Sequence, residues 1–306
     1  MPLKKGLFFS TGGIHMATLM GMFLGLDENL EHVQHCGGIS AGAFLATLCA
    51  TYDIDDIRSI ISQHSHDHLL QNRHKYFNTI ISTFFNKSIL DDNNLKELIN
   101  NLFANKQLKR NLFVGVTNDN TMTYTVKYFE KDKIHPDLCD YVLGSMSIPI
   151  ILPGVQHDKE YLVDGGLFHS IPVEAMDLCI QKAIEEHHNF EITLLSSRRF
   201  NARMHKKKNK HFVIPNQVMR MFYSHGYQTM HNDQIILNKT IANAKEHGID
   251  VKLNFFSIPD EKVDFYDKEI KFEEYGSLKD STVNVLLTLG KSIVKNALLN
   301  KVHLKF

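Results

Sequence analysis

Gly38-Ile39-Ser40-Ala41-Gly42 forms a G-x-S-x-G pattern between a short candidate strand, Glu31 to Cys36, and an apolar helical segment, Ala41 to Tyr52. A serine at this spacing suits a sharp strand-to-helix turn, because the small residues on both sides let the chain reverse without clashes. The hydroxyl then projects away from the backbone. The next amide, at Ala41, points where negative charge would develop, and a helix N-terminus favours charge there. By itself the pentapeptide also fits an ordinary glycine-rich turn.

What lies before and after it narrows the reading. Gly6 to Ser10 reads as a first buried strand, and Ile14 to Leu26 as a helix that is small and apolar all round. Ser10-Thr11-Gly12-Gly13-Ile14 joins them. Its glycines let backbone N–H groups approach an anion, but the lysine of a P-loop and the G-x-G-x-x-G spacing are both missing. Beside a serine elbow the loop makes sense as the other half of an oxyanion hole; alone it is a tight turn. Far downstream, Asp164-Gly165-Gly166 closes a short strand, Glu160 to Val163. An aspartate that reaches the Ser40 hydroxyl can orient it and take its proton. A free aspartate has a pKa near 3.9, so burial would have to make it more basic.

Strands and helices alternate along the rest of the chain. Leu112–Val116 and Thr121–Phe129 read as a hairpin, and Ile192–Ser196 and residues 250–257 as further strands. Helical patterns run from Asp91, over 137–147, 172–187, 215–230 and 233–247, and near 277–300. Alternation of this kind predicts an α/β core with a central, mostly parallel sheet. The organisation expected is a core over 5–197 and a mainly helical C-terminal part over 198–306, packed on the same domain.

Composition excludes more than it selects. Apolar residues are 43% of the 306, enough for a sizeable core, and 34 basic residues balance 34 acidic ones. Overall charge therefore names neither nucleic acid nor any other charged partner. Cys36, Cys49, Cys139 and Cys179 have no metal-ligand spacing and read as thiols of a reducing compartment. His64, His66 and His68 alternate without the partner residues a metal site needs, so no metal and no cofactor is expected. Residues 6–26 carry no Asp, Glu, Lys or Arg, but five glycines with Ser10 and Thr11 break the apolar run, which argues against a signal peptide or a membrane span. A cytoplasmic or peripheral-membrane protein is expected. The basic run from Arg198 to Lys210 reads as a solvated loop or a contact for anionic lipid headgroups.

Taken in order, Thr11-Gly12-Gly13-Ile14-His15, Gly38-Ile39-Ser40-Ala41-Gly42 and Asp164-Gly165-Gly166 resemble the patatin-like phospholipase family, over about residues 5–175. Ser145-Met146-Ser147-Ile148-Pro149 and Ile171-Pro172-Val173 are softer matches. The resemblance implies a three-layer α/β/α fold and a Ser40–Asp164 dyad without a catalytic histidine. It also implies an oxyanion hole from the backbone of Gly12, Gly13 and Ile14, joined by Ala41, with Gly38 and Gly42 shaping the elbow. The substrate it implies is a phospholipid or another acyl-ester lipid, met at a membrane surface, with no nucleic acid and no identifiable protein partner. One departure stands out: the family's G-G-G-x-[K/R]-G reads Thr11 to Met16 here, so His15 takes the place of a permanent cation as a possible accessory group. Three other readings stay open. They are a Ser–His–Asp triad using His225 or His231, a lipid- or partner-binding protein with an idle site, and an acyltransferase or neutral-lipid lipase built on the same acyl-enzyme.

Overall fold

The computed structural model describes residues 1–26, 30–62, 93–149, 152–197, 214–258 and 280–299. The 64–68 histidines and the 198–210 basic run lie outside the described residues. Eight strands, β1 (Leu3–Phe9), β2 (His35–Ile39), β3 (Asn111–Asn118), β4 (Thr123–Phe129), β5 (Val155–His157), β6 (Glu160–Asp164), β7 (Asn189–Ser196) and β8 (Val251–Ser257), form one sheet. Its order is β5-β6-β3-β2-β1-β7-β8, with β4 also on β3. The run β3-β2-β1-β7-β8 is parallel, and β4, β5 and β6 pair antiparallel at one end.

Helices cover both faces, as a three-layer α/β/α fold requires. On one side lie α1 (Met16–Leu26), α2 (Ala41–Thr51), α3 (Ile54–Ser62), α4 (Asn93–Phe103), α5 (Leu138–Met146) and the C-terminal α8 (Asp280–Leu299). On the other lie α6 (Val173–Glu185) and α7 (Ile214–Glu246). Every residue of α2 is buried, which accounts for its lack of a polar face. By contrast, α6 buries one stripe, Val173, Met176, Cys179, Ile180 and Ala183. The buried Arg110 guanidinium donates to the carbonyls of Cys49 and Tyr52 (2.9 and 3.1 Å) and so closes the C-terminal end of α2.

Three details differ from the pattern in the sequence. The second strand begins at His35, after a 3₁₀ turn at Leu30–His32, and runs into the elbow rather than ending at Cys36. The two helical patterns at 215–230 and 233–247 are one continuous helix, α7. The short strand β5 was not legible, being only three residues long.

The C-terminal residues are tied to the motif-bearing part through backbone contact. β8 extends the sheet beyond β7, and α8 packs on α1, the helix that follows the Gly-rich loop. A Cβ on Gly290 would collide with the Thr18 carbonyl oxygen, and one on Gly21 with that of Leu287. Backbones this close leave no room for a side chain. Gly290→Val is therefore expected to cost at least the roughly 1–3 kcal/mol typical of overpacking. Thermal denaturation of the variant checks this; an unchanged melting temperature would contradict the close packing of α1 on α8.

Candidate active site

The parallel register sets Phe9 beside Gly38, so the loop after β1 and the turn after β2 leave the sheet side by side at its carboxyl edge. That is where open α/β sheets form their crevices. Ser40 occupies the turn with φ 59° and ψ −130°, a strained backbone for a residue with a side chain. The glycines around it permit close contact: a Cβ on Gly38 would strike the Gly42 carbonyl, and one on Gly42 the Ser10 carbonyl. α2 starts at Ala41, so its leading N–H groups have no acceptor within the helix.

The Gly-rich loop lies against this turn. A Cβ on Gly12 would approach the Ala41 Cβ to 3.1 Å, which places the two proposed halves of the oxyanion hole in contact. Gly13 has φ +48°, the left-handed conformation that favours glycine. Gly13, Ile14 and His15 form a 3₁₀ turn in which the His15 N–H donates to the Gly12 carbonyl (2.8 Å). Thr11, which replaces a glycine of the usual pattern, is held by its backbone. Its N–H donates to Ser170 O (2.8 Å), and its carbonyl accepts from Ser10 Oγ (2.8 Å) and Ser197 Oγ (2.7 Å).

Strand pairing brings Asp164 in. β2 pairs with β3 as far as Ile39 opposite Gly115, and β6 pairs with the next residues, Val116 opposite Asp164. β4 runs along the whole of β3 from Leu112 to Asn118, so β6 must follow β2 on the same edge. The residue after Ile39 and the residue at the end of β6 thus meet. The Ser40 hydroxyl lies close enough to the Asp164 carboxylate to favour its charged form. Gly166 N–H donates to Asp164 Oδ1 (2.6 Å). Asp164 is only 5% exposed; burial drives its pKa upward, the nearby Ser40 hydroxyl and the Gly166 N–H pull it partly back, and it settles at about 7.

A third element holds both residues, and the motif reading assigned it no role. Ser145, fully buried at the end of α5, accepts the Ser40 N–H at its Oγ (2.9 Å) and donates to the Gly115 carbonyl (2.6 Å). Two residues on, the Ser147 carbonyl accepts the Asp164 N–H (2.9 Å). The only trace of this in the sequence was the small-residue segment ahead of Pro149.

The two histidines of the triad reading are both on α7. His225 is exposed, with Nε2 2.6 Å from the Leu167 carbonyl oxygen, and His231 is exposed. Among the described residues no group of three or more His, Cys, Asp and Glu could hold a metal ion, and no helix is long and apolar enough to cross a membrane.

Among solved structures, the chain is similar to VipD from Legionella pneumophila, with TM-score 0.46 and 14% identity, over 98% of this chain and 67% of that one. No curated protein matches it. The family described as "Patatin-like phospholipase" matches residues 7–177. That span is more than half of the 306 residues and holds the Gly-rich loop, the elbow and Asp164, so the chain belongs to the patatin-like phospholipase family, which consists generally of lipid acyl hydrolases.

Proposed function

We propose that the chain hydrolyses fatty-acyl esters of phospholipids, as a phospholipase A or lysophospholipase, through an acyl-enzyme on Ser40. The observation that carries this is the strand pairing that sets the strained, buried Ser40 beside a buried aspartate whose pKa is near neutral. An ordinary aspartate is too weak a base at pH 7; one with pKa about 7 matches a general base to its working pH.

The steps follow. Asp164 takes the Ser40 proton as Oγ attacks the ester carbonyl. The carbonyl oxygen becomes an oxyanion facing the amides of Gly12, Gly13, Ile14 and Ala41, which need not reorganise to receive it. The tetrahedral species collapses, Asp164 returns the proton to the departing lysolipid oxygen, and the acyl group stays on Ser40. A water deprotonated by Asp164 then attacks the acyl carbon, and Ser40 leaves with its proton restored. The lipid is met at a membrane surface, where Phe168, partly exposed in the loop after Asp164, is available to apolar chains.

Ser40→Ala is expected to abolish hydrolysis of a short-chain or lipid ester. In the parent enzyme, kcat/KM should rise with pH and level off above about 7 as Asp164 ionises; a limb near pH 4 would contradict a buried base. The same burial has a stability cost with a definite sign. A carboxyl whose folded pKa lies above its unfolded value binds more protons when folded, so stability falls as pH rises from about 4 to 7. Asp164→Asn, whose Oδ1 can still accept from Gly166, should thus raise the melting temperature at pH 8, and the gain should shrink toward pH 4. Equal shifts at both pH values would count against it. Ser145→Ala removes the acceptor that holds the Ser40 N–H. It should lower kcat by about tenfold to a hundredfold with little change in KM, since small misplacements are costly at this scale; steady-state kinetics decides.

A further inference from the structure

Outside the matched span, Asp233 on α7 is fully buried, and its carboxylate is spent on one loop. One oxygen accepts the backbone N–H groups of Ser170 (2.6 Å) and Ile171 (3.0 Å); the other meets His169 Nδ1 at 2.6 Å. Ser170 Oγ is also bound to α7, donating to the Gly226 carbonyl (2.9 Å) and lying 2.6 Å from Thr229 Oγ1. This loop begins at Gly165, directly after Asp164, and its Ser170 carbonyl is the acceptor of the Thr11 N–H. His169 reaches Glu174 with its other nitrogen (3.5 Å). Burial would lower the His169 pKa, but its hydrogen bonds and charge interactions with Asp233 and Glu174 raise it to about 9, so the ring is cationic at neutral pH and its pair with Asp233 is intact.

The chain of contacts is short: Asp233, the Ser170 and Ile171 amides, the Ser170 carbonyl, the Thr11 amide, then Gly12 and Gly13. Each link is a direct hydrogen bond or a covalent neighbour. Helix α7 is thereby linked to one of the contacts that hold the start of the Gly-rich loop.

We propose that Asp233 is a positioning residue for the oxyanion-stabilising loop, holding the Ser170 carbonyl that anchors Thr11. The proposal rests on the Ser40 acyl-enzyme reading. It concerns the place of an acceptor oxygen, not the charge of the carboxylate. Asp233→Asn leaves an oxygen for the two amides and removes the charge. Asp233→Ala removes the oxygen. Asp233→Glu keeps the charge but displaces the oxygens by one methylene.

The test compares these three with the parent enzyme by kcat per active site, titrated with a fluorophosphonate, and by the inhibition constant of an alkyl trifluoromethyl ketone. That ketone forms a tetrahedral adduct bearing an oxyanion, so its affinity reports the oxyanion hole. A partly unfolded sample has fewer titrated sites but an unchanged inhibition constant in the sites that remain. Asp233→Ala is expected to lose about tenfold to a hundredfold in kcat, below the loss from deleting an oxyanion donor outright, and to bind the ketone more weakly by a similar factor. Asp233→Asn should recover most of both. If Asp233→Ala does not fold, Asp233→Glu should show the losses. The proposal is overturned if the Ala or Glu variant keeps parental kcat per site, if kcat falls while ketone affinity holds, or if Asn is as impaired as Ala. Ser40→Ala that still hydrolyses the ester would instead bring down the acyl-enzyme reading and this proposal with it, an outcome distinct from the others.

Discussion

One edge of β3 serves two strands in succession. β2 occupies it up to Gly115 and ends in the elbow; β6 takes it from Val116 and ends in Asp164. Residues 124 apart in the sequence are thereby placed end to end, with no loop motion needed to join them. A Cβ at Gly165 would come within 2.6 Å of the Gly115 carbonyl, so the glycine after Asp164 is a condition of this handover. The same Gly115 carbonyl accepts from Ser145, whose oxygen fixes the Ser40 N–H. Most of the arrangement around the serine is referred to this one stretch of β3.

Two features of the site oppose folding. Ser40 is held in a backbone conformation that side chains disfavour, and Asp164 is buried where its charged form is penalised. They persist because the surroundings overdetermine them. α2 is wholly buried, its far end is closed by Arg110, and α1 packs against α8 at backbone distance. In the proposed reaction the strain and the raised pKa are what make the serine reactive, so stability is given up where chemistry is gained.

Much of this was legible in the sequence. The order of the three motifs carried the family, and the alternation of strands and helices carried the layered fold. What stayed hidden has physical reasons. β2 contains Gly37 and Gly38, poor strand formers; Gly37 is there because the Phe8 ring fills the space a side chain would take, at 2.8 Å from a notional Cβ. The helical pattern broke ahead of Asp233 because Asn and Asp favour helix starts. The carboxylate instead serves amides of a loop more than sixty residues earlier, a partnership no local pattern encodes. Ser145 and Ser147 were visible only as small residues, since their hydrogen bonds depend on where β3 and β6 lie.

The central claim is that Ser40, activated by Asp164, becomes covalently acylated. Intact-protein mass spectrometry after brief mixing with a slowly hydrolysed acyl ester, followed by peptide mapping, tests this most directly. The account predicts one acyl adduct, located on the peptide containing Ser40 and absent from Ser40→Ala. Turnover of the ester with no adduct under acid quench, or an adduct mapped to any other residue, would contradict it.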